Sequence, residues 1–100
     1  MKPYYQDKMD KGISLKEVNI LGMPLDEWRY KSCVAHCATS EWWATLYDIE
    51  SQEEGKGHAT KLLLAMKRYY ETKGLKFGGS VALNNRMRKI YQRCGVEEYV

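Results

Sequence analysis

A chain of 100 residues, 44% of them hydrophobic and 29% charged, can bury one small core, so a single domain is expected. No apolar run approaches the ~20 residues that a membrane span needs, and the opening MKPYYQDKMDKG lacks the apolar stretch of a signal peptide, so a soluble, cytoplasmic protein is expected. The net charge of +3 is unevenly placed: residues 1–50 carry six Lys/Arg against eight Asp/Glu (−2), residues 51–100 ten against five (+5). That excess is a thin footprint for nucleic acid, because no strand face interleaves aromatic and basic side chains. A compact polyanion needs less positive charge, and a small basic nucleic-acid-binding protein ranks last among the readings.

In chain order, residues 1–12 are polar and expected to be loose, and Ile13 to Leu21 alternates enough for a short strand or extended arm. After Gly22, the stretch with Pro24 and Asp26 has the chemistry of a turn. Arg29 to Ala38 and Glu41 to Ile49, rich in aromatic and small residues on either side of Thr39 and Ser40, predict a β-hairpin. In its second strand Trp42, Ala44 and Leu46 share one face and Trp43, Thr45 and Tyr47 the other, which predicts a central strand covered on both sides.

From His58 the period changes to that of a helix. Ala59, Leu62, Leu63, Met66, Tyr69 and Tyr70 fall on one face, and Gly74 ends the run. Leu75 to Leu83 predicts a strand despite Gly78 and Gly79 in its middle. Asn84 is placed to cap a last helix in which Met87, Ile90, Tyr91 and Cys94 share a face, and Gly95 stops it.

Three cysteines, an odd number, fit a reducing compartment better than a disulfide framework. Cys33, His36 and Cys37 raise the question of zinc. Four residues along a strand put the two sulfurs ~13 Å apart, too far to share a tetrahedral ion, so structural thiols are the expected reading.

The stretch SQEEGKGHATKLL, residues 51–63, places two glycines against the start of the predicted helix, where glycine costs roughly 1 kcal/mol relative to alanine in a helix interior. A strand feeding a glycine-rich turn and a helix amino terminus makes an anion site, since the first helical amides have no internal partner and the dipole favours negative charge. A P-loop and a dinucleotide-binding fingerprint are both excluded: the first needs four residues between its glycines followed by Gly-Lys-Ser/Thr, the second a further glycine at position 60.

The remaining pattern, Gln52, Gly55, Gly57 and Ala59, resembles the pyrophosphate-binding signature of the GNAT acyltransferase superfamily, in which Arg or Gln opens a loop whose amides hold coenzyme A. Asn84, Met87, Ile90, Tyr91, Gly95 and Val96 are similar to the family's next strand-and-helix segment. The likeness covers Glu41 to Val96. It implies an α/β fold with a central mixed β-sheet and a cofactor-binding helix after the central strand, shortened at both ends. Only forty residues precede Glu41 and four follow Val96, Ile49 stands where a proline is common, and Val96 replaces the usual phenylalanine. A minimal or truncated member is implied, whose sheet edge a second copy completes, and acetyl-CoA and an amine-bearing acceptor, a protein or a small molecule, are its implied partners.

By that resemblance the amides from Glu53 through Gly55, Lys56, Gly57 and His58 cradle the pyrophosphate, with Gln52, Ala59 and Asn84 completing the cofactor site. Main-chain amides near Thr45 and Tyr47 hold the acyl carbonyl and pantetheine arm. Tyr91 is implied as the acid that protonates the departing thiolate, against an ordinary role as a core tyrosine. Glu41 is a candidate base, with Asp48 and Glu50 behind it, against the simple reading of solvated carboxylates. A non-catalytic module of the same fold, binding CoA or a protein, is the alternative.

Overall fold

The computed structural model describes residues 12–52, 57–80 and 85–98. The chain runs β1 (Ile13–Ile20), β2 (Met23–Tyr30), β3 (Cys33–Thr39), β4 (Trp43–Ser51), α1 (His58–Thr72), β5 (Lys76–Gly79), α2 (Asn85–Cys94) and β6 (Glu97–Glu98). All six strands form one sheet in sequence order, antiparallel from β1 to β4 and parallel from β4 to β6. The expected α/β class with a mixed sheet is found. A pair of β-α-β units makes the parallel half, and the order β4-β5-β6 advances in one direction, so two crossovers of the same hand lay both helices on the same face. Their side chains share one core with Trp28, Cys33, Ala35, Cys37, Ala44 and Leu46.

Helix α1 forms where the apolar repeat requires it, burying Leu62, Leu63, Ala65, Met66, Tyr69 and Tyr70. Leu62, Leu63 and Met66 are completely enclosed, each contributing about 1.5–3 kcal/mol of burial. The helix is also tied to the sheet through polar atoms. Tyr70 Oη accepts from Trp28 Nε1 at 3.0 Å and donates to Asp26 Oδ2 at 2.6 Å. That pairing satisfies the indole and phenol where burial makes an unmet partner costly.

Several boundaries differ from expectation. Pro24 and Asp26 lie within β2, opposite Asn19 and Glu17, rather than in a turn. The single strand expected from Arg29 to Ala38 is two strands, broken at Lys31 and Ser32 with Tyr30 opposite Cys33. Lys31 takes the left-handed conformation (φ 54°) that such a tight turn needs. The strand expected over Leu75–Leu83 is confined to Lys76–Gly79, with residues 81–84 outside the described ones. β6, which was not foreseen, pairs in parallel with β5.

β4 has strand neighbours on both sides, as a central strand does, yet only one of its faces is covered. Ala44 and Leu46 are fully buried, while Trp43 and Tyr47 on the other face stay 36% and 45% exposed. Trp42 precedes the strand and is exposed instead of packing beside Ala44.

Candidate functional site

The parallel pairing of β4 with β5 ends at Leu46 and Gly79, while β4 continues to Ser51. At the same point the β3–β4 register slips. His36 pairs with Asp48 and Cys37 with Leu46, so Tyr47 is an extra residue in a bulge. The two strands therefore part in a fork, and among the described residues β5 offers β4 no ladder partner from Tyr47 to Ser51. Five residues of strand span about 16 Å.

Ser80 closes the fork. Its N–H donates to Leu46 O at 2.9 Å and its Oγ, more distantly, to Tyr47 O at 3.4 Å. Its carbonyl accepts from Tyr91 Oη at 3.1 Å. Tyr91 is buried on the inward face of α2, with Cys94 beside it on the same face, and its hydroxyl lies at the point where the strands separate.

Beyond β4 in the chain, Gly57 is the N-cap of α1, in the left-handed region at φ 77°, ψ 8°. A side chain there would meet nothing within 4 Å, so the glycine answers to backbone conformation. Lys61 N–H closes the first helical bond onto Gly57 O at 3.0 Å. Among the described residues no side chain caps this terminus, and its first turn holds no carboxylate, a donor set that fits an anion. The Lys61 ammonium, 5.2 Å from the centre of the Tyr30 ring, and that of Lys31, 5.6 Å from it, add positive charge nearby.

Of the residues singled out in the sequence, Tyr47 and Tyr91 meet at the fork, and Gly57, His58 and Ala59 open the helix. Gln52 is exposed just past β4, and the His58 ring packs edge-on against Tyr30. Glu53, Gly55, Lys56 and Asn84 lie outside the described residues. Thr45 sits inside the ladder between Ala38 and Gly78. Because Trp42 and Leu46 use their carbonyls toward β5, strand alternation turns the Thr45 amide toward β3. Glu41 is exposed in the turn before β4, five residues on the other side of Leu46. It is not brought to the fork.

Asp48 is nearer, beside the bulge, and belongs to a cross-strand ladder on the face away from the helices. His36 Nδ1 lies 2.7 Å from Asp48 Oδ1, His36 Nε2 lies 3.2 Å from Glu27 Oε1, and Glu27 also meets Arg29 and Lys16. Burial pulls the His36 pKa down, but the hydrogen bonds and charges of Asp48 and then Glu27 outweigh it and raise the pKa above its ordinary value. Burial raises the Glu27 pKa, but hydrogen bonds from Arg29 and His36 outweigh it and lower the pKa overall.

This ladder separates His36 from the two cysteines, which face the core. Burial pushes the Cys33 thiol up to about 11 and the Cys37 thiol to about 12, so both remain protonated and poor metal ligands. Among the described residues no three His, Cys, Asp or Glu side chains form a metal-binding group.

In the sequence Gly79 stands out only as a weak point in its strand, and Ser80 not at all. A glycine inside a strand does signal close backbone approach, and here what approaches is the Tyr91 ring.

No protein-family model, curated protein or solved structure matches the chain. Among the described residues no helix is long and apolar enough to cross a membrane.

Proposed function

We propose that the protein is a GNAT-type N-acetyltransferase that moves an acetyl group from acetyl-CoA to an amine. The observation that carries the reading is the forked β4–β5 junction with the Tyr91 hydroxyl at its vertex, on a strand that continues to Ser51 ahead of a helix whose N-cap is the left-handed Gly57. Such an arrangement suits an extended acyl-pantetheine arm lying along β4 beyond the fork, its pyrophosphate at Gly57 and His58 and its thioester at the fork.

The acceptor amine attacks the thioester carbon, and the tetrahedral oxyanion takes hydrogen bonds from main-chain donors beside the bulge at Tyr47. Collapse breaks the C–S bond, the electron pair stays on sulfur, and the Tyr91 Oη proton passes to the thiolate. An amine with pKa ~10.4 costs about 4–5 kcal/mol to present in neutral form at pH 7. Asp48 is better placed than Glu41 to receive its proton, directly or through water.

The distance of Glu41 from the fork favours a second reading, a CoA-binding module without turnover. Purified protein incubated with acetyl-CoA and a mixed pool of peptides and small amines, followed by mass spectrometry, separates the two. An acetylated product supports the enzyme, and calorimetric CoA binding without product supports the module. No binding refutes both.

A further inference from the structure

Gly79 occupies a position that a side chain could share only if the Tyr91 ring or the strand moved. A Cβ built there lies 2.4 Å from Tyr91 Cζ, 2.5 Å from its Oη and 2.8 Å from its Cε2. The glycine is outside the left-handed region, so the nearby ring and not the local backbone requires it. The next residue, Ser80, bonds to Leu46 and Tyr47 on either side of the bulge's start and accepts the Tyr91 hydroxyl through its carbonyl. One two-residue segment thus fixes both how far the phenol enters and where its O–H points.

We infer that Gly79 and Ser80 are positioning residues for the proton that Tyr91 delivers to the leaving thiolate. This rests on the acetyltransferase reading and names residues which that reading did not contain. Gly79 admits the phenol against the end of β5. Ser80 pins its own carbonyl to β4 and so aims the hydroxyl along the fork.

A phenol has one proton and two lone pairs, so rotation about Cζ–Oη moves the proton from the Ser80 carbonyl to an arriving thiolate without moving the ring. A hydrogen bond to an ionised acceptor is about twice as strong as one to a neutral carbonyl, which favours the exchange. After transfer, water reprotonates the tyrosinate. Restoring ordinary contact around an added Cβ requires the ring or the strand to shift by about 1 Å, and a misplacement of that size costs on the order of 100-fold in rate.

The test reads the ionisation of CoA's own thiol, which needs no acceptor. CoA is bound to the folded protein and its thiolate absorbance followed against pH. In the wild type the Tyr91 hydrogen bond should lower the thiol pKa below that of free CoA, and Tyr91→Phe should return it toward the free value. Gly79→Ala should do the same while retaining Tyr91. If glycine serves packing alone, Gly79→Ala lowers the melting temperature and leaves the bound thiol's pKa at the wild-type value, which overturns the inference.

Should Gly79→Ala not fold, Ser80→Ala keeps the carbonyl and cuts the tie to Tyr47. A partial return of the thiol pKa supports the inference and an unchanged value overturns it. A wild type that does not bind CoA overturns the acetyltransferase reading, and this inference with it. Tight binding with the thiol pKa of free CoA overturns this inference alone.

Discussion

Replacing Gly57 separates conformational strain from ligand contact. The residue caps α1 at φ 77°, and a Cβ there meets nothing within 4 Å. Gly57→Ala therefore introduces no clash, only the penalty of roughly 1–2 kcal/mol for an L-residue in the left-handed region. The stiffer unfolded chain offsets about 0.4–1 kcal/mol of that. A net loss of about 1 kcal/mol is expected, which for a domain of this size lowers the melting temperature by about 4–8 °C.

Gly57→Asn should lose less, because asparagine visits this region more readily. Gly57→Val, branched at Cβ and least tolerant of positive φ, should lose most. Urea titration measures the series, and an unchanged m-value shows that the native fold persists. If the amides at this terminus hold the pyrophosphate, CoA affinity should follow the same order and fall at least tenfold in Gly57→Val, equivalent to about 1.4 kcal/mol or more. An alanine variant as stable as the wild type would refute the strain argument, and an unaltered calorimetric affinity in Gly57→Val would remove the anion site.

Tyr70→Phe strips the acceptor from buried Trp28 Nε1 and the donor from Asp26; a loss of about 2–4 kcal/mol is expected by urea denaturation, and one under about 0.5 kcal/mol would show the bonds to be incidental. His36 has a folded pKa raised above 6.5, so its contribution to stability should be fully present below about pH 6.5 and disappear as pH rises through the folded value. His36→Gln should flatten that part of the stability–pH curve, and an identical curve in the variant would assign the change to another group. Tyr91→Phe should leave CoA affinity nearly intact while turnover falls about 10²- to 10⁴-fold, and a full rate, read from slow acetyl-CoA hydrolysis or self-acetylation, would return the tyrosine to the core. The outer edge of β1 has no strand partner among the described residues, and we expect a second copy to cover it; light scattering that shows a monomer across the micromolar range would oppose this.

The parts of the fold legible in the sequence are those that local periodicity determines. Helix α1 declares itself because its apolar residues recur on one face, and α2 likewise because Met87, Ile90, Tyr91 and Cys94 are spaced to do so. The two-residue turn at Lys31 and Ser32 carries no such mark. Tight hairpins favour glycine or asparagine where φ is positive, and neither is present. Pro24 and Asp26 mislead for the opposite reason. They are turn formers by propensity, but register with β1 and the Tyr70 hydroxyl bond hold them in a strand. The ladder from Lys16 through Glu27 and His36 to Asp48 exists only after four strands have been put in register, and no spacing along the chain announces it.

The candidate site follows the same division, with one instructive exception. Gly57 could be anticipated from the glycines that precede an apolar helical repeat, whereas the bulge at Tyr47 depends on the pairing of β3 with β4. Gly79 lies between these cases. In the sequence it weakens the strand prediction; in the structure β5 pairs for only four residues while β4 runs for nine. The lack of a side chain at this position is also what lets Tyr91 reach the end of β5. The opening of the fork and the arrival of its hydroxyl therefore meet at one glycine, and a substitution there should disturb the proposed chemistry even though it alters none of the groups that perform it.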